Sequence, residues 1–205
     1  MLDSITLSSM LASRLCHDLI NPVGALGAGL EIMEGEQDPE MRAEALNLVN
    51  SSTDKALDLL QFARIAYGAG GGYGDELDLD EIKALVEGIY KHARAELDWQ
   101  IPPGHMAKPA VKVMMTLALL IADCVPRRGS KVTISQDEGG ISLIATGPKA
   151  RLKEPLQQAL EGKEEGLEPK MVPAYIAAHL ASQTGYQLLC SQDGEEKISI
   201  RLQMA

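Results

Sequence analysis

The residues in this sequence best suited to chemistry are the run Cys16-His17-Asp18-Leu19-Ile20-Asn21-Pro22. An imidazole can attack an electrophile or carry a proton near neutral pH, and a neighbouring carboxylate can orient its ring. Asn21 adds a small amide one helical turn later. Helical periodicity over about residues 4–34 supplies the element that positions them. Leu7, Leu11, Leu15, Leu19, Leu26, Leu30 and Met33 fall within an arc of about 140°, a core-facing stripe. His17 points about 160° from the centre of that stripe, so it is expected to face solvent with Asp18 beside it. Pro22 has no N–H, so the carbonyl of Asp18 loses its helical partner and a bend is expected just past the histidine. A lone histidine on a polar helix face is usually only solvated; the surrounding pattern makes this one a candidate site.

That pattern, His-Asp-x-x-Asn-Pro followed by Val23-Gly24-Ala25-Leu26, resembles the phosphoacceptor motif of sensor histidine kinases, His-[Glu/Asp]-x-x-[Asn/Thr]-Pro-Leu. Extended from Leu11 through Leu26 and on to Gly29-Leu30-Glu31, it is similar to the ChpT-type bacterial histidine phosphotransferases. The resemblance implies a relay in which a receiver's aspartyl phosphate is passed to His17 and then to another receiver's aspartate. It also implies a dimeric bundle, with a hybrid histidine kinase's receiver domain and response-regulator receiver domains as partners. In such a reaction one nitrogen of His17 is the nucleophile. Asp18 orients the ring or takes the proton from its other nitrogen, and Asn21 bonds a phosphoryl oxygen or the partner's loop. The chain itself is expected to bind no cofactor, with Mg²⁺ brought by the receiver. Ser13, Gly24 and Ala28 lie near His17 on the helical wheel and would let a partner approach closely. Arg14, on a neighbouring face, is placed either to offset phosphate charge or as an ordinary surface arginine.

The bulk properties agree with such a role. The 205 residues, 45% of them hydrophobic, suffice for one large domain or two small ones. One Trp and one Phe leave the core to aliphatic residues, as helical bundles prefer. A net charge of −10 argues against nucleic-acid or anionic-membrane partners. The longest apolar run, 111–125, is interrupted by Lys112, Thr116 and Asp123 and is too short for a membrane span. The opening Met-Leu-Asp-Ser lacks the basic region of a signal peptide, and three scattered cysteines read as reduced thiols. A cytoplasmic protein is expected.

The remaining elements follow from caps and breakers. Asp38-Pro39 opens a second helix to about Tyr67, with Met41, Ala45, Leu48, Ser52, Ala56, Leu59, Ala63 and Ala66 on one face. Two helices cannot bury their stripes alone, so residues 1–70 are expected to form a hairpin that pairs with a second copy as a four-helix bundle. The glycine-rich break at 68–75 reads as a linker or long turn. Beyond it, residues 75–205 alternate: helices near 79–94, 109–125, 152–161 and 172–183, and strands near 96–101, 131–135, 141–146, 186–191 and 197–203. The fold class is therefore α+β, a helical hairpin followed by a two-layer α/β sandwich with mostly antiparallel strands.

The element order of this second part resembles the ATP-binding domain of histidine kinases, but three ligand sets of that family are missing. Leu120 stands where an Asn helps hold Mg-ATP, Ala145 where the adenine-binding Asp belongs, and Met171-Val-Pro-Ala where two glycines approach phosphate. ATP binding is not expected. An ATP-dependent kinase with an unusual nucleotide box and a dimer that binds receivers without carrying phosphate are the two alternatives. The first needs the missing ligands, and the second leaves His-Asp-x-x-Asn without a purpose. His92, His105 and His179 share no metal-like spacing and read as structural.

Overall fold

The computed structural model describes residues 2–68 and 74–204. Its first element, α1 (Ser4–Gly35), begins where the Asp3 carboxylate accepts from the backbone N–H groups of Ile5 and Thr6, each at 3.0 Å. The helix runs unbroken past Pro22, whose side chain is buried. A turn leads into α2 (Pro39–Ala66), capped by Asp38 on the N–H of Glu40 with Pro39 at the first position, as its sequence predicts. Arg42 of α2 donates to the carbonyls of Met33 and Glu36, satisfying the exposed end of α1. The two helices approach closely at Gly29. A Cβ there would lie 2.8 Å from Val49 Cγ2 and 3.2 Å from the Ala45 carbonyl, so only glycine fits without a shift.

Within one chain the hairpin leaves much apolar surface uncovered. Ile5, Ile20, Val23 and Leu30 are exposed on α1, and Leu46, Leu57 and Leu60 on α2. The α1 stripe expected from periodicity is only half-buried, and its Leu30 is exposed, as are Met41 and Leu48 of the α2 face. Ala45, Ser52 and Ala66 of that face are buried as expected, and Phe62 and Ile65, outside it, are buried too because they enter the core of the second part of the chain. The linker read at 68–75 falls largely on residues 69–73, outside those described.

The second part holds a five-stranded sheet covered on one face by helices. Its strands are β2 (Ala95–Trp99), β4 (Ser130–Asp137), β5 (Gly140–Thr146), β6 (Tyr186–Asp193) and β7 (Lys197–Met204), in the order β2-β4-β5-β7-β6. The β2–β4 pair is parallel and the others antiparallel. Period-two alternation turns Val132, Ile134, Ile141, Leu143, Ala145, Ile198, Ile200 and Leu202 inward, all buried. Helix α4 (Lys108–Ala122) packs on them with Val111, Met114, Met115, Leu117 and Ile121 fully enclosed. Helices α3 (Leu79–Tyr90), α5 (Glu154–Leu160) and α6 (Val172–Gln183) complete the layer.

Several details depart from the sequence reading, among them the end of α4 at Ala122 rather than near 125. Helix α3 ends at Tyr90, four residues before the expected 94. Competing bonds end it: Tyr90 donates its hydroxyl to the Ala118 carbonyl at 2.7 Å, Arg94 donates to the Pro126 carbonyl, and Ala95 already pairs with Ser130. A two-stranded antiparallel ribbon of β1 (Glu76–Asp78) and β3 (His105–Ala107) was also not expected. Three residues per strand are too few for alternation to show. No helix among the described residues is long and apolar enough to cross a membrane.

Candidate functional site

Residues 14, 17, 18 and 21 of α1 share one flank of the helix, and their environments differ sharply. The His17 side chain is 74% exposed, whereas Asp18 is 23% and Arg14 13% exposed. The Arg14 guanidinium donates from Nε to Asp18 Oδ2 at 2.7 Å. The other carboxylate oxygen, Asp18 Oδ1, lies 3.4 Å from His17 Nδ1, the outer limit of a hydrogen bond. Asp18 thus bridges the imidazole and the arginine. The expectation that Asp18 faces solvent beside His17 is corrected, since the bond to Arg14 draws it inward. Arg14 is bonded to Asp18 and largely covered, so it is not an ordinary surface arginine.

Arg14, Asp18 and Asn21 form one wall of a cleft of about 230 Å³. Lys55 and Leu59 of α2 and Ile89, His92, Ala93, Leu119 and Asp123 from the second part of the chain complete its lining. Facing away from that cleft, Asp18 also borders a small apolar cavity of about 60 Å³ with Leu15, Leu19, Phe62 and Tyr67. Burial pushes the Tyr67 phenol well above its ordinary value, with nearby Arg14 lowering and Asp18 raising it. Tyr67 is therefore a neutral, buried neighbour of the Arg14–Asp18 pair. Ser13, Gly24 and Ala28 are all exposed, and a Cβ at Gly24 would meet nothing within 4 Å.

A second cleft, of about 190 Å³, shares Arg14 with the first. Leu120 and Met171 line it, two of the three positions at which kinase-like nucleotide ligands are replaced. The third, Ala145, is wholly buried in the sheet. Its remaining polar lining is mostly cationic: Arg151, Lys153 and Lys170, with Asp123 opposite. Cys124 at its base is a buried thiol pushed up to about 12 by burial. Among the described residues no three His, Cys, Asp or Glu side chains gather as metal ligands would.

Sequence reasoning passed over several of these side chains. His92 was read as structural and Asp58 was not considered, yet His92 Nε2 lies 3.0 Å from Asp58 Oδ2 across the boundary between hairpin and sandwich. Arg151, Lys153 and Lys170 escaped notice because they are dispersed through an acidic chain. His179 stacks edge-on against Tyr175 with ring centroids 4.3 Å apart, and His105 is an exposed strand residue, so both keep their structural reading.

Comparison with known proteins places this architecture. Residues 79–196 match the family described as histidine phosphotransferase C-terminal domain. The chain belongs to that family. It is 35% identical over 129 residues to the protein phosphotransferase ChpT of Brucella abortus (strain 2308), a match covering 63% of this chain and 60% of the relative. The family likeness extends to the hairpin in a solved structure of a bacterial phosphotransferase, which superposes with a TM-score of 0.83 at 26% identity over 98% of both chains. The family match itself begins at α3, so the His17 helix enters through the structural likeness and its own motif.

Proposed function

We propose that this chain is a histidine phosphotransferase of a multistep phosphorelay, with His17 as the residue that carries the phosphoryl group. The observation that carries this reading is the pairing of an exposed imidazole with a carboxylate fixed from behind. Asp18, held by Arg14, lies 3.4 Å from Nδ1 of His17, and in the proposed tautomer Nδ1 carries the proton toward it and Nε2 keeps the lone pair. In the proposed step Nε2 attacks the phosphorus of a receiver's aspartyl phosphate in line. The phosphorus–nitrogen bond forms as the phosphorus–oxygen bond to aspartate breaks, and the carboxylate leaves with the electron pair. The Nδ1 proton stays on the ring, facing Asp18. Onward transfer to a second receiver reverses these events. Asn21, exposed one turn on, is within the cleft wall and suits a hydrogen bond to a phosphoryl oxygen or to the partner's loop. The divalent ion that offsets phosphoryl charge is assigned to the receiver's own acidic pocket.

The partner surface is proposed to have two parts. Ser13, Gly24 and Ala28 surround His17 with small side chains that admit a receiver closely. Arg151, Lys153 and Lys170 offer positive charge to an acidic receiver, on a chain that is otherwise strongly negative. A homodimer is supported by the unpaired apolar residues of the hairpin. Ile5, Ile20, Val23 and Leu30 lie within about 80° of one another on α1, centred about 100° from His17, so pairing would cover them and spare the histidine. The proposed location is the cytoplasm, in keeping with receiver partners and three unpaired cysteines.

The test is direct. A phosphorylated receiver mixed with the chain should pass acid-labile label to it, and the His17→Ala chain should take none. Label on the His17→Ala chain would reject the assignment.

A further inference from the structure

The hairpin and the sandwich are joined chiefly by apolar packing, in which Phe62 and Ile65 of α2 share a core with Val86 and Ile89 of α3. Apolar contact of this kind is tolerant of sliding. Polar contacts are not: Leu2 N–H donates to the Tyr175 hydroxyl and Lys112 Nζ to the Gly68 carbonyl, and a third contact joins two side chains. Asp58 of α2 reaches across to His92, just past α3, with 3.0 Å between Oδ2 and Nε2 and both side chains 22% exposed. The carboxylate is seated against the backbone of α3 at Gly88, where a Cβ would lie 2.9 Å from Asp58 Oδ1 and 3.0 Å from Cγ. A side chain at position 88 would displace the Asp58 carboxylate from this seat. His92 also lines the cleft that Arg14, Asp18 and Asn21 line, with Lys55 and Asp123 as the other charged groups in it.

We propose that the Asp58–His92 pair, seated on Gly88, is a latch that fixes the sandwich against the phosphoacceptor helix and so sets the width of the cleft beside His17. Swinging the sandwich away from the hairpin breaks this bond and opens the cleft. Both residues are positioning residues. They touch neither the phosphoryl group nor His17, and they act by holding the two halves of the docking surface in register. The consequence for transfer rests on the phosphotransferase reading, while the latch itself does not.

The full-length chain carries both tests. Small-angle scattering reads the latch without any transfer: Asp58→Ala, His92→Ala and Gly88→Val should each enlarge the radius of gyration, and His92→Gln, which can still donate to Asp58, should not. Unchanged scattering in all of them would overturn the proposal. Transfer from a phosphorylated receiver reads the consequence. Asp58→Ala and His92→Ala should each raise KM for the receiver about tenfold with kcat within about twofold. The double variant should be no worse than either single one, because one bond is lost in each case. His92→Gln should return KM to near the wild-type value. A fall in kcat at constant KM, or losses that multiply in the double variant, would overturn the positioning role. A wild-type chain that accepts no phosphoryl group, with alanine variants that still swing open, would reject the phosphotransferase reading and keep the latch.

Discussion

Replacing Arg14 with alanine is the perturbation that most sharply separates an organised site from a merely exposed histidine. The pair it destroys is neither a surface nor a core salt bridge, with side chains 13% and 23% exposed and a 2.7 Å charge-assisted bond. Exposed i,i+4 pairs contribute about 0.3–0.5 kcal/mol, and breaking a buried pair costs about 3–5 kcal/mol. Asp18 keeps some access to water, so about 1.5 kcal/mol is expected, in line with about 1.5–3 kcal/mol for hydrogen bonds to charged groups. For a chain of this size that amounts to about 3–6 °C in melting temperature. The catalytic effect should be at least comparable to the structural one. Without Arg14 the Asp18 carboxylate is free to rotate away, and His17 loses the contact that selects its tautomer. Transfer from a phosphorylated receiver should fall at least about tenfold, roughly 1.4 kcal/mol in the barrier. Arg14→Lys should recover part of the stability and less of the rate, since lysine offers a point charge without the guanidinium's fixed geometry. Melting curves and rapid-quench transfer rates on the same preparations make the comparison. An Arg14→Ala chain that transfers at the wild-type rate would refute the role given to the Arg14–Asp18–His17 chain.

Other expectations follow from the same geometry. Ile20→Asp combined with Leu57→Asp, at positions 67% and 49% exposed within one chain, should convert a dimer to a monomer in light scattering, whereas a dimer that survives both would place the interface elsewhere. Gly29→Val should destabilise the hairpin by at least about 2 kcal/mol, because the Gly29–Val49 approach has no room. By contrast Gly24→Ala, with open space around it, should stabilise by about 0.5–1 kcal/mol in urea titration. Millimolar Mg-ATP should leave the melting temperature unchanged, since a ligand at 100 times its dissociation constant adds about 2.7 kcal/mol and a clear upward shift would revive nucleotide binding.

What could be read from the sequence was what local chemistry encodes. Asp38-Pro39 announces a helix start because capping needs only the next two or three residues. His17 was placed correctly in solvent by a hundred degrees per residue and nothing more. Long-range contacts were beyond that arithmetic. The inward turn of Asp18 depends on an arginine whose own cover comes partly from the sandwich. Asp58 and His92 are separated by 33 intervening residues, and no periodicity links them. The early end of α3 was decided by bonds to Ala118, Pro126 and Ser130, all more than twenty residues away. The second cleft needs α1, α4, α5 and the turn before α6 in one place, so its positive lining shows only after folding.

The most direct measurement of the central claim uses two receivers and a trace of this chain. One receiver begins phosphorylated and the other does not, and label on the second is followed over time. A relay through His17 predicts that a small fraction of the chain moves many equivalents of phosphoryl group between them, that label appears transiently on the chain, and that His17→Ala abolishes all of it. Transfer between receivers that proceeds equally well with the His17→Ala chain, or a labelled chain that never delivers its phosphoryl group onward, would contradict the account.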